Sequence, residues 1–427
     1  MYFIDSQDII YFPTQKKSMK SGKKILILIL TLSSFFACNK DNEVVPVKGS
    51  DPETGSPVNS VEPECPTGNA GQPVAGQYIV VLKKDDQMSV AESGSATVSR
   101  EYLVKRSLRL LARHGIENFV CNVYVSGIKG FAARLNEEKL NEIKSDPEVA
   151  SIEQDRFIAL SPAEMTASAD SAGQTVPWGI KRLGAGTGSP TSKTAWILDT
   201  GVDTDHPDLN VDYSRSKSFV CSEPSFEDLN GHGTHVAGTI AAKNNAIGVV
   251  GIVPGNQVVA LKVMASDGKG TISSLLEGLD YIYKNGRAGD VVNMSLSGGS
   301  SQTLDNLVTK IANEKNIYFA VAAGNENADA ASLSPQRVNN AYIYTVSAMD
   351  NQDNYASFSN YGTCVDLCAP GVKIASTFLN GKYAYLSGTS MATPHVAGLL
   401  LLKGSGIRTD GTVKNDPDGR PDPIAHL

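Results

Sequence analysis

The sequence predicts an α/β protein, a parallel sheet with helices on both faces, preceded by a smaller ferredoxin-like α+β unit. Three observations carry this reading. From about Thr175 onward, short apolar runs rich in branched residues alternate with helical stretches, the pattern of a parallel sheet covered on both sides. Before that point, one compact stretch reads β-α-β-β-α-β. The chain has 427 residues, 41% of them apolar, enough for two or three domains with a sizeable core. Charged residues make up 19%, and there are 39 glycines, which suits a compact, turn-rich chain. Net charge is −7 with no long basic run, so composition argues against a nucleic-acid partner.

Lys23 and Lys24 precede an apolar run from Ile25 to Ala37 that stops at Cys38. The run is too short for a bilayer core of roughly 30 Å. A positive start, a short apolar stretch and a small residue before the stop read as a signal peptide over 1–38, with Met19 as an alternative start. Phe35-Phe36-Ala37-Cys38 resembles a bacterial lipoprotein cleavage site. That resemblance implies lipidation at Cys38, a membrane partner reached through a lipid anchor, and a place in the cell envelope. Ordinary secretion is the alternative. Residues 39–73 are rich in Pro, Gly, Asp, Glu and Ser and read as a flexible linker.

Residues 74–160 form the ferredoxin-like unit. Gln77–Lys83 is a strand and Ser99–Arg113 a helix; Phe119–Ser126 and Gly130–Leu135 are strands. Asn136–Ser145 begins with a capping Asn and places Glu137 and Glu138 in its first turn, a capped helix. Val149–Gln154 is the last strand. Nothing in this unit gathers residues for chemistry. Residues 161–174 are small and polar without periodicity, an exposed and cleavable linker.

Residues 175–427 carry the larger sheet. Thr194–Leu198, Val258–Val263, Val291–Met294 and Ile317–Ala322 are buried strands, and helices follow His232 and span Thr271–Asn285 and Thr303–Asn313. Chemistry in such sheets gathers at the carboxyl ends of the strands. Asp199 follows the first of these strands. His232 stands between two glycines at the start of a helix, with His235 three residues on as a structural hydrogen-bonding partner. Ser390 stands in Ser387-Gly388-Thr389-Ser390-Met391-Ala392-Thr393-Pro394-His395, where a helix N-terminus favours negative charge developing nearby. Of the remaining cysteines, Cys65, Cys121, Cys221, Cys364 and Cys368, none suggests a framework, and packed thiols are the expectation. In one extended strand, Cys364 and Cys368 would lie roughly 13 Å apart, beyond disulfide reach.

Asp199-Thr200-Gly201, Gly231-His232-Gly233-Thr234-His235 and Gly388-Thr389-Ser390-Met391-Ala392-Thr393-Pro394-His395 resemble the Asp, His and Ser blocks of the subtilase family, and they occur in that family's order. The resemblance implies a serine endopeptidase with Asp199, His232 and Ser390 as its triad and no cofactor for the chemistry. Ala322-Ala323-Gly324-Asn325 resembles the oxyanion block, with Asn325 as side-chain donor. Ser295, Leu296, Ser297 and Gly298 resemble one wall of the substrate pocket, and Ala322, Ala323 and Gly324 the other. Ser297 departs from the usual Gly. No charged residue lies in these stretches, which implies broad specificity with an apolar preference before the cut.

Residues 77–158 are similar to the inhibitor propeptide of the proteinase K-like branch. A self-processed zymogen is implied, inhibited by its own propeptide and cut near Ala163–Gln174 ahead of Pro177-Trp178-Gly179-Ile180. Protein or peptide substrates are the implied partners. Asp366 matches a calcium-binding position in relatives, so structural calcium is a candidate there; a strand Asp bonded to neighbouring backbone is the alternative. After His395 only 32 residues remain, 396–427, and the polar tail lacks the family's closing helices. A binding protein that does not cut, a lipase or esterase, and an adhesion protein are the rival readings.

Overall fold

The computed structural model describes residues 68–84, 96–116, 122–160, 167–169 and 173–427. The signal peptide, Cys38 and the linker 39–73 expected from the sequence lie outside the described residues, except for the linker's last residues, 68–73.

The first unit contains β1 (Pro73–Leu82), α1 (Ala96–Arg113), β2 (Val123–Tyr124), β3 (Gly130–Arg134), α2 (Glu137–Lys144) and β4 (Val149–Ala159). β1 pairs antiparallel with both β3 and β4, and β2 pairs with β3. Leu103, Leu110, Leu111, Phe131 and Ile143 pack the helices on this sheet. The Asn136 side chain accepts a bond from the Lys139 amide, the cap that the sequence predicts. The last strand, however, runs five residues beyond the expected Gln154, to Ala159.

β5 (Ala167–Ala169) lies in the stretch expected to be an unstructured linker and pairs with a later strand, so that stretch is partly ordered by long-range pairing. The chain continues through α3 (Trp178–Arg182), β6 (Ala195–Asp199), β7 (Lys217–Ser218), α4 (His232–Ala241), β8 (Val258–Lys262) and β9 (Lys269–Thr271). Next come α5 (Ile272–Asn285), β10 (Val291–Met294), β11 (Ser297–Gly298), α6 (Gln302–Lys315), β12 (Tyr318–Ala322) and β13 (Ile343–Met349). The last elements are β14 (Leu367–Pro370), β15 (Ile374–Phe378), β16 (Lys382–Leu386), α7 (Thr389–Lys403), β17 (Arg408–Thr412) and β18 (Pro423–His426).

The main sheet runs β17-β18-β14-β13-β12-β10-β6-β8-β7 and is parallel except for the β17 edge. Alternation along its strands builds two cores, because successive side chains face opposite sides. Ile197, Ala260 and Ala320 pack with Val236 and Ile240 of α4 and Val396 and Leu400 of α7. Trp196, Leu198, Leu261 and Phe319 pack with Leu275 and Leu279 of α5 and Leu304 and Ile311 of α6 on the opposite side. The polar tail does not end without structure: β18 extends the parallel sheet beside β14. Of the cysteines, Cys364 precedes β14 while Cys368 lies within it, and both thiols are free. Cys221 departs from the packed-thiol expectation and is disulfide-bonded.

Candidate active site

Asp199 closes β6 at the carboxyl edge of the sheet, and His232 opens α4. Their approach depends on small residues. A Cβ on Gly233 would lie 2.0 Å from the Gly201 carbonyl oxygen, so only glycine lets the helix start sit against the loop after Asp199. His232 Nδ1 then lies 2.8 Å from Asp199 Oδ1, with both side chains buried. The same Oδ1 accepts the Thr200 amide at 2.8 Å. His232 Nε2 is buried and has no hydrogen-bond partner among the described residues.

Ser390 lies in the first turn of α7, buried, and its Oγ donates to the Ser295 carbonyl at 3.2 Å. The Ser295 hydroxyl in turn donates to the Ser390 carbonyl at 2.8 Å. The carboxyl end of β10 is thereby tied to the start of the nucleophile helix. Asn325 follows β12. Its Oδ1 accepts both the amide and the hydroxyl of Thr389 at 2.8 Å, which leaves its NH₂ end free to point elsewhere. A Cβ at Gly388 would lie 3.3 Å from Asn325 Nδ2 and 3.7 Å from the Ser390 amide nitrogen. Two N–H donors therefore border a space that glycine keeps open.

The wall residues fall beside this centre. Leu296 is buried after Ser295, while Ser297 and Gly298 form β11. Ala322 ends β12 and Ala323 is buried beyond it; the Gly324 amide donates to the Thr389 hydroxyl. His235 takes the structural role expected of it. Its Nε2 faces the carbonyls of Ile374 and Ala384 at 3.0 and 3.2 Å, and burial, with His232 close by, pushes its pKa down to about 3.

The end of β4 lies between β9 and β11. Phe157, Ile158 and Ala159 pair antiparallel with Thr271, Gly270 and Lys269, and Ile158 and Ala159 also pair with Gly298 and Ser297. Ile158 is fully buried, its Cγ1 against Gly270 and its Cγ2 methyl against Gly298. Carboxylates secure the rest of the first unit. Glu153 Oε2 accepts the Thr303 amide and hydroxyl at the start of α6. Asp155 accepts the Ser273 amide at the start of α5, where helix N-termini leave amides unpaired. In the reverse direction, Asp280 of α5 accepts the amides of Val125, Ser126 and Gly127.

Asp366 accepts the Thr345 amide at 2.8 Å, and burial raises its pKa to about 6. No group of three or more His, Cys, Asp or Glu suited to a metal occurs among the described residues, and the bond from the Thr345 amide to Asp366 fits the backbone-bonded alternative. Sequence reasoning missed a different oxygen-rich cluster. Gln174 Nε2 bonds to the Lys243 carbonyl at 2.8 Å and lies 3.4 Å from both Asn245 Oδ1 and the Val249 carbonyl. Asn245 Nδ2 bonds to Asp208 Oδ1 at 2.7 Å. Both carboxamides donate through NH₂ here; turned over, their oxygens would join the Asp208 carboxylate and the two carbonyls in a donor set suited to a hard cation. These residues are scattered in sequence, and no local motif marks them.

The model of the Subtilase family matches residues 196–407, and that of Peptidase inhibitor I9 matches residues 77–161. The chain is 37% identical over 340 residues to Alkaline serine exoprotease A of Vibrio alginolyticus, covering 77% of this chain and 60% of that protein. It is 44% identical over 279 residues to M-protease of Shouchella clausii (strain KSM-K16), covering 64% of this chain and 68% of that protein. It is 48% identical over 237 residues to Subtilisin BL of Lederbergia lenta, covering 54% of this chain and 84% of that protein. The crystal structure of a cold adapted subtilisin-like serine proteinase superposes with a TM-score of 0.52 at 34% identity, covering 58% of this chain and 97% of that one.

Proposed function

Because the chain belongs to the subtilase family of serine peptidases, we propose that it is an exported endopeptidase, made as a self-inhibited precursor, with Asp199, His232 and Ser390 as its triad. The observation that carries this reading is the seat of Phe157–Ala159. An extended peptide, held by main-chain pairing between β9 and β11, runs beside the loop whose Ser295 carbonyl touches Ser390. Peptide substrates would bind there as an added strand after the first unit leaves.

In the proposed reaction Ser390 Oγ attacks the scissile carbonyl and passes its proton to His232 Nε2, whose lone pair has no other claim on it. Asp199 fixes the ring through Nδ1 and stabilises the imidazolium. The oxyanion forms in the space bordered by Asn325 Nδ2 and the Ser390 amide. His232 then protonates the leaving amine, and water resolves the acyl-enzyme. The buried Ile158 supports an apolar preference before the cut. The same seat supports residues 74–160 as the propeptide, with processing between 161 and 174.

Calcium would serve stability and not chemistry, and the Gln174–Asp208–Asn245 cluster is its best-supported site. Export and lipidation at Cys38 rest on the sequence pattern alone. N-terminal sequencing of the purified product, its digest of a peptide library and membrane fractionation of Cys38→Ser test the proposal together. A Ser390→Ala chain should remain uncut. Normal maturation of that variant in a protease-free host would overturn self-processing.

A further inference from the structure

Lys262 has a side chain with 0% exposure, near the end of the otherwise apolar strand β8. Burying an ammonium is unfavourable by several kcal/mol unless its protons are satisfied. Here Nζ donates to the Thr200 carbonyl at 2.6 Å and lies 2.9 Å from Glu223 Oε2. Glu223 is itself held, through Oε1, by the amide and hydroxyl of Ser266 at 2.9 and 2.8 Å. Lys262 stands opposite Asp199 in the β6–β8 pairing.

Thr200 connects this ion pair to the reacting groups. Its amide donates to Asp199 Oδ1, its hydroxyl donates to Asp228 Oδ1 at 2.9 Å, and its carbonyl accepts from Lys262. The Asp199 carbonyl is fixed as well, by the amides of Val263 and Met264, which directly follow Lys262. Asp199 is fully buried, its Oδ2 has no hydrogen-bond partner among the described residues, and its ion-pair partner there is His232. A neutral His232 provides no compensating charge. Lys262 places a fixed cation on the backbone one residue away.

We propose that Lys262, anchored by Glu223, is a positioning residue for the triad. It holds the Thr200 backbone that aims the Asp199 carboxylate, and it sets a fixed positive charge beside the Asp199–His232 pair. The proposal rests on the peptidase reading for its kinetic test but not for its spectroscopic one. The charged groups around Thr200 and His232 are Asp199, Asp228, Lys262, Glu223 and the neighbouring His235.

The sign follows from charge. In Lys262→Met the loss of a cation beside the triad moves the acid limb of kcat/KM up by roughly half a pH unit. In Glu223→Gln the loss of an anion moves it down by a smaller step. The kcat of Lys262→Met falls roughly tenfold through misaimed Asp199, with KM held because β9 and β11 are untouched. Lys262→Arg, which keeps the charge, restores the limb. The Glu223 side chain is 22% exposed, which lets Glu223→Gln carry the test if Lys262→Met fails to fold. NMR titration of the His232 ring in the Ser390→Ala precursor reads the same shifts without turnover. Loss of thermal stability with the His232 titration unmoved in both variants would overturn the proposal. Absence of hydrolysis by the wild type, with the ring shifts present, would overturn the peptidase reading instead.

Discussion

His232 Nδ1 lies 2.8 Å from Asp199 Oδ1, and both side chains are buried at the carboxyl edge of the sheet. In the proposed mechanism this contact holds the ring proton on Nδ1 and leaves Nε2 as the base. Asp199→Asn keeps the size but offers an amide that can hold the ring in the wrong tautomer. The expected result is a kcat lower by about 10⁴-fold with KM little changed, read from the hydrolysis of a short peptide. A loss confined to KM would show that Asp199 serves binding and not the chemistry.

Asn325 is anchored at its oxygen end by Thr389, so its NH₂ group is oriented before any substrate arrives. Such a donor acts on charge that develops only in the transition state. Asn325→Ala is expected to lower kcat by about 10²–10³-fold and leave KM near its original value. The Ser390 amide would continue to supply the second bond. Equal loss in kcat/KM from a raised KM alone would contradict the oxyanion role.

The proposed triad and Asn325 stand out in the sequence because the chemistry proposed for them requires small neighbours. Glycines flank His232, Gly388 precedes Thr389 and Ser390, and such blocks stand out in a sequence. The parallel sheet was legible because its strands are buried on both faces and read as continuous apolar runs. Lys262 was hidden by that same signal: one lysine within Val258–Val263 does not break the run, and its partner Glu223 is distant in sequence. The extension of β4 to Ala159 and the strand at 167–169 were illegible for a related reason. Both are ordered by pairing with distant strands and not by local propensity. The tail reads as polar and without helices because β17 is exposed throughout, and its core contacts come from Val413 and β18 alone among its buried apolar residues.

Asp155 makes the hold of the first unit depend on pH. It is buried between β4 and α5, accepting Gln77 Nε2 at 2.6 Å and the Ser273 amide at 3.1 Å. Burial raises its pKa to about 6 despite these bonds, against about 3.9 in an unfolded chain. A raised pKa means that the folded precursor binds the proton more tightly than the unfolded chain does. The resulting stabilisation is fully present below about pH 4 and is lost as pH rises through about 6. Asp155→Asn cannot titrate. Between pH 4 and 6 the Tm of the Ser390→Ala precursor should therefore fall relative to that of its Asp155→Asn counterpart. Parallel Tm profiles across that window would refute the assignment.

The cation cluster makes a prediction separable from catalysis. Gln174 lies just ahead of the expected mature start, while Asp208 and Asn245 belong to surface loops beside α4. A hard cation held by their oxygens would tie the N-terminal segment to those loops, and removing it should loosen that segment first. Excess EDTA should lower the Tm of the Ser390→Ala chain, and added calcium should restore it. Binding to the folded state alone raises stability by RT ln(1 + [L]/Kd), so at a hundredfold excess over Kd the contribution is about 2.7 kcal/mol. Asp208→Asn removes the one carboxylate of the set, and its Tm should respond to neither reagent. An unchanged EDTA response in Asp208→Asn would move the cation away from this cluster. No response in the parent chain would remove calcium from the account altogether.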